Sequence, residues 1–328
     1  MKRINTILIP LLAAVALSSC NKQAAPDSNF PEDRVIRVQA SVLPSTKGSY
    51  TTYNLSEFAF YSLDFDAFQY QYSKKCSRSP YSFEGYTPSW KWDGDAPLWK
   101  NSSDIVGMIA IAPVHSDYQH LSFDTFNHTH LTGYTFQIQT EQSFSDNDSD
   151  LIGWCEKGRT LDLLNSDKKV NITFQHLLSR LNLTFVLATE FNALAIPTSD
   201  IVSDVVIKDA STEARVQLLP EGNLSAAVTS TSAKDDVKAY NTRWTAASKK
   251  EDRCRSQWEC ILVPETGTGI TISFNVNGKP YICILSGKDL EQGKAHNLTI
   301  NVGKDVATVG SMTIAAWEDG GSSNLETE

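Results

Sequence analysis

The sequence predicts an all-β protein built from antiparallel β-sandwiches. Three observations carry this expectation. Apolar residues alternate at period two in segment after segment. Asn277 and Gly278 stand between two such segments, and this pair favours the tight turn of a hairpin. A helical period is nearly absent; Leu161 to Leu164 makes one turn at most.

The elements follow in order. Ile36, Val38, Ala40 and Val42 alternate with Arg37, Gln39 and Ser41, giving a first strand with one buried face. Val170, Ile172 and Phe174 alternate, as do Leu181, Leu183, Phe185 and Leu187. The step from Phe174 to Leu181 is odd, so the buried face must switch within residues 175–180, through a bulge or a sharp bend. Ile270, Ile272, Phe274 and Val276 run into the Asn277-Gly278 turn, and Tyr281, Cys283 and Leu285 return from it. Leu298, Ile300 and Val302 form another strand, and Met312, Ile314 and Ala316 the last. A domain boundary falls near residues 187–198, where a strand ends and Pro197 opens a loop. The expected division is 35–190 for the N-terminal sandwich and 191–328 for the C-terminal one.

The amino end has a separate meaning. Lys2 and Arg3 precede an uncharged run from Ile7 to Leu17, and Ser18 and Ser19 lead to Cys20. About 11 apolar residues are too few for a bilayer, which needs ~20, and suit a cleavable signal. Small residues before the cysteine make residues 1–20 a lipoprotein signal, with Cys20 acylated as the new N-terminus. Each buried CH₂ of an acyl chain contributes about 0.8 kcal/mol, so two or more chains anchor stably. Residues 21–34 are polar, carry two prolines and read as a tether. About 309 residues remain from Cys20 onward, enough for two domains.

A net charge of −9 argues against nucleic acid as a partner. Beyond Cys20 the cysteines are Cys76, Cys155, Cys254, Cys260 and Cys283. Buried free thiols are the favoured reading, with a Cys254–Cys260 loop as the alternative. Motifs for chemistry are sparse. His120, His128 and His130 lack zinc spacing, and the Asp146 to Asp150 run lacks the Gly and closing Glu of a calcium loop. No metal or cofactor is expected. Between Tyr50 and Trp99 lie 15 of the 32 aromatic residues. Trp90 and Trp92 could stack on a sugar ring, although filling a β-sandwich core is the simpler use of such rings.

Several stretches carry a resemblance. One is the signal ending at Cys20. Another is Trp90, Trp92 and Pro97-Leu98-Trp99, leading to the apolar run from Ile105 to Pro113. A third is Ser149 to Gly153, followed by Phe174, His176, Leu178, Ser179 and Arg180. Then come Leu262, Pro264, Glu265 and Thr266, and finally Gly293 to Leu298 with Trp317 beyond. In this order they resemble the fimbrillin family, the lipoprotein subunits of type V pili. His296 stands where that family usually has Tyr, and Glu265 where it usually has Gln.

The resemblance implies two stacked transthyretin-like sandwiches and assembly by strand exchange. The first strand, Ile36 to Val42, would be removed by a trypsin-like protease and replaced by a strand from a neighbour. An arginine usually marks the cut. None occurs between Arg37 and Arg78, so Lys47, followed by Gly48, is the expected site. The expected function is a structural or adhesive pilus subunit, not an enzyme, held in the outer membrane and passing to the fimbrium after processing. Its partners would be other fimbrillin subunits, the membrane through the lipid, and a host or bacterial surface ligand. The residues after Trp317 lack the alternation a donor strand needs, so a tip or accessory role is expected over bulk stalk. A non-polymerising, carbohydrate-binding surface lipoprotein is the alternative.

Overall fold

In the computed structural model the described residues are 29–43, 49–64, 69–79, 89–116, 118–119, 122–123, 131–143, 148–221, 223–267 and 269–317. They form twenty strands. In the first half these are β1 (Val38–Val42), β2 (Glu57–Asp64), β3 (Gln69–Arg78), β4 (Trp90–Trp92), β5 (Ile105–Ala112), β6 (Ser122–Phe123), β7 (Leu131–Gln137), β8 (Ile152–Arg159), β9 (Val170–His176) and β10 (Ser179–Leu187). In the second half they are β11 (Val202–Ser211), β12 (Glu213–Glu221), β13 (Asn223–Ser230), β14 (Lys234–Lys238), β15 (Tyr240–Thr245), β16 (Arg255–Leu262), β17 (Ile270–Val276), β18 (Lys279–Leu285), β19 (Lys294–Val302) and β20 (Ala307–Ala316). Helix among the described residues is limited to one 3₁₀ turn at Thr189–Asn192.

Four sheets result. A seven-stranded sheet runs β1-β9-β8-β5-β2-β3-β4, and the sheet β13-β12-β7-β6 packs on it through β8 and β5. A five-stranded sheet runs β15-β16-β10-β19-β20 and faces the sheet β14-β11-β17-β18. Most pairings are antiparallel, as alternation and tight turns require. Two are parallel, β1 with β9 and β10 with β19. Parallel neighbours need long crossovers, and these two pairs are far apart in the chain.

Burial explains which strands alternate and which do not. β9, β17 and β18 bury one face and expose or half-expose the other. β2 and β5 are buried on both faces because each lies between two cores. Phe58, Phe60, Met108, Ala110 and Ala112 join one core with the first strand, whereas Ala59, Tyr61, Ile109 and Ile111 join the core that continues into the C-terminal sheets.

The face switch expected within 175–180 is a change of sheet. Leu177 and Leu178 are buried between β9 and β10; the Leu177 amide donates to Leu151 O, and Leu178 O accepts from the Gly293 amide. The chain thus leaves one sandwich and enters the other at this pair. The β12–β13 hairpin crosses back, pairing with β7. At the β17–β18 turn Asn277 and Gly278 both have positive φ, 50° and 80°, the conformation that suits a two-residue hairpin.

Candidate strand-exchange site

Among the described residues β1 is the terminal strand of its sheet and pairs there with β9, Val38 opposite Val170 and Val42 opposite Phe174. Its alternation is realised as burial. Ile36, Val38, Ala40 and Val42 are 0 to 8% exposed and belong to the core formed by Phe58, Trp99, Met108 and Phe174. In a parallel ladder, alternate residues address opposite neighbours. Arg37 O accepts from the Val170 amide and the Leu43 amide donates to Phe174 O, so odd-numbered residues face β9.

Even-numbered residues face the open side. There the Ile36 amide donates to Pro97 O, and Trp92 Nε1 donates to Ile36 O at 2.7 Å. At the far end the Val42 amide donates to Thr52 Oγ1 at 3.0 Å, and that hydroxyl donates back to Val42 O. Between them, the main-chain groups of Val38 and Ala40 have no partner among the described residues. An open edge of this kind is a template for another strand. Beside it lies a cavity of about 490 Å³ lined by Val38, Gln39, Trp90, Trp92 and the cations Arg37, Lys91 and Lys169.

The entry to β1 is pinned. Residues 29–34, the end of the expected tether, turn against the body, with Phe30 packed on the core. Arg34 Nε donates to Trp99 O at 2.9 Å. The Arg37 guanidinium donates twice to the exposed Asp33 carboxylate and holds its pKa down at about 2.

The remaining candidates divide. Cys20, Lys47 and Gly48 lie outside the described residues, as do His120, His128 and His130. Trp90 and Trp92 are partly buried, and their rings meet Phe58 and Phe60 at 4.9 and 5.1 Å. Much of both rings is therefore committed to the core beneath that cavity. Cys76, Cys155, Cys254, Cys260 and Cys283 are all buried free thiols, so Cys254 and Cys260 close no loop. Burial pushes the Cys76 and Cys260 thiols up. Among the described residues no group of three His, Cys, Asp or Glu side chains could hold a metal ion.

Sequence reasoning missed one constellation. Asp150 is fully buried, with the His176 Nδ1 atom 2.9 Å from its Oδ2, and it accepts the Tyr50 amide at 2.7 Å. The His176 ring stacks on Trp317 at 4.5 Å and 8°. His176 and Trp317 were both legible as motif residues, but nothing in the sequence pairs them with each other or with Asp150.

The profile of the fimbrillin-like family matches residues 58–317. The chain belongs to the fimbrillin-like family. Three solved structures share its fold. One is a candidate cell adhesion protein of Bacteroides uniformis, 17% identical over 88% of this chain and 99% of its own, with a TM-score of 0.56. Another is a candidate cell adhesion protein of Bacteroides ovatus, 10% identical with the same coverage and TM-score. The third is a fimbrial assembly protein of Parabacteroides distasonis, 10% identical over 86% of this chain and 99% of its own, at 0.50. Comparison with curated proteins gives no match. Membership of the fimbrillin-like family supports a pilus or adhesin subunit at the cell surface.

Proposed function

We propose that this fimbrillin-like chain is a non-enzymatic fibre subunit that assembles by exchanging its first strand. One observation carries the reading: β1 is a short edge strand whose side chains fill a core, while the outward main-chain groups of Val38 and Ala40 have no partner among the described residues. Removing it would uncover an apolar groove and the unpaired edge of β9. Burying four replacement side chains contributes on the order of 6–12 kcal/mol before ordering costs, and main-chain pairing adds to this. An antiparallel donor would gain slightly more per residue than the parallel strand it replaces.

In this reading Cys20 carries the acyl chains that hold the precursor in the outer membrane, and cleavage between Lys47 and Gly48 frees β1. The partners are other fimbrillin subunits and a surface ligand. N-terminal sequencing of the chain from purified fibres tests it. A start at Gly48 is expected; a start at Cys20 would mean that β1 is retained and would overturn the exchange.

A tip or accessory position is supported by β20, the last strand among the described residues, because it is already paired with β19. A bulk stalk role has one observation in its favour: β20 is largely exposed, with Ala307, Val309 and Met312 only half-buried on the core. The composition of purified fibres separates the two. A minor band is expected, and a main band would reverse the assignment.

A further inference from the structure

We propose that the Asp150–His176 pair is a latch that couples the chain leaving residues 44–48 to the seat of the last strand. The contacts form one continuous path. On one side the Tyr50 amide donates to Asp150 Oδ2 at 2.7 Å. Tyr50 belongs to a compact turn: Asn54 Nδ2 donates to Ser49 O, the Thr51 amide donates to Asn54 Oδ1, and the Leu55 amide donates to Thr51 O. In the middle, Asp150 and His176 are brought together because Ile152, which opens β8, pairs with His176, which closes β9. His176 Nδ1 lies 3.1 and 2.9 Å from the two carboxylate oxygens. On the other side the flat face of the His176 ring lies on Trp317, the residue that follows β20.

The path joins parts of the chain that lie far apart in sequence. β20 is mostly exposed, and its pairing with β19 shifts register between Leu298 and Ile300. Trp317 is buried, so the stack on His176 is the firm point at that end of the strand. Asp150 fixes the ring on which Trp317 lies, and the same carboxylate holds the Tyr50 turn. If the ring shifts, the carboxylate shifts with it, and a buried carboxylate that loses one donor draws on the other. A stacked pair of this kind corresponds to about a two- to twelvefold change in a local equilibrium. By linkage, whatever factor Trp317 exerts on the Tyr50 turn, the turn exerts on the seating of Trp317. The coupling belongs to the isolated subunit. Its use in assembly, where a cut near Lys47 would loosen β20, rests on the strand-exchange reading, which is tested on fibres and fails separately.

Hydrogen exchange on the intact chain, read by peptide, tests the latch. Trp317→Ala is expected to speed exchange of the amides of residues 49–55 by about two- to twelvefold and to hasten tryptic cleavage at Lys47. Asp150→Ala is expected to speed exchange in β20. Trp317→Phe keeps a ring on His176 and is expected to leave residues 49–55 near the wild-type rate. The latch is overturned if Trp317→Ala accelerates β20 alone, or if the Ala and Phe variants accelerate residues 49–55 equally. Equal acceleration in β5 and β17 would also overturn it, since that marks general loosening.

Discussion

β1 and β20 are both edge strands, one closing the first sheet of the N-terminal sandwich and one closing the last sheet of the C-terminal sandwich. β1 is five residues long and buries every second side chain. β20 is ten residues long, has no fully buried residue, and leaves Ile314 48% exposed. Position at an edge therefore does not decide what a strand contributes; the side chains beneath it do. Vacating β1 would open a core, whereas vacating β20 would uncover the half-buried contacts of Ala307, Val309 and Met312 and release Trp317 from the core and from His176. The first is held mainly by buried side chains, the second by a longer main-chain ladder with half-buried side chains and Trp317 at its end.

The sharpest way to break this comparison is to remove β1. A chain lacking residues 35–43 loses on the order of 6–12 kcal/mol of apolar burial, comparable with the whole stability of an ordinary domain. We expect near-UV dichroism of the N-terminal sandwich to be lost, and a synthetic peptide of residues 35–43 to restore it. A deletion that folds unaided would show that β1 contributes no more than β20.

Next in size is the buried polar cluster that holds the C-terminal sandwich. Arg180 Nε lies 3.7 Å from Glu259 Oε1, and Tyr240 donates to the same oxygen at 2.8 Å. Arg180→Ala removes the cation 3.7 Å from the buried Glu259 carboxylate and should cost about 3–5 kcal/mol. Urea titration is expected to show that loss on β10 and β16, with β1 still seated on β9.

Acid should also separate the two sandwiches. His296 is fully buried on β19, its Nε2 accepts the Glu291 amide at 2.9 Å, and burial holds its pKa below the ordinary 6.5. Below pH 6.5 the unfolded chain takes up a proton that the folded chain refuses. The stabilising difference is therefore full above 6.5 and lost as pH falls toward the folded value. Thermal melts between pH 8 and 5 are expected to fall more steeply for the wild type than for His296→Tyr. Parallel slopes would refute the assignment.

Smaller effects test the ends of the two strands. Thr52→Val removes both hydrogen bonds that close Val42 and should cost about 1 kcal/mol in denaturant melts. Ile314→Ala on β20 should stay within about 0.5 kcal/mol, as for surface positions generally. A larger loss at Ile314 than at Thr52 would invert the comparison.

The sequence by itself determined the strands whose two faces differ. Ile36 to Val42, Val170 to Phe174 and Ile270 to Leu285 were legible because one buried face writes period two, and the Asn277-Gly278 turn because positive φ restricts residue choice. The edge position of β1 was anticipated only through family resemblance, since alternation does not tell an edge strand from a central one. The tertiary structure alone decided that Leu177 and Leu178 cross between sandwiches, that β12 and β13 return to pair with β7, and that Asp150, His176 and Trp317 meet. The physical reason is range. Period and turn chemistry act over a few residues, whereas a buried carboxylate, an imidazole and an indole from distant strands are joined only after the sheets have packed.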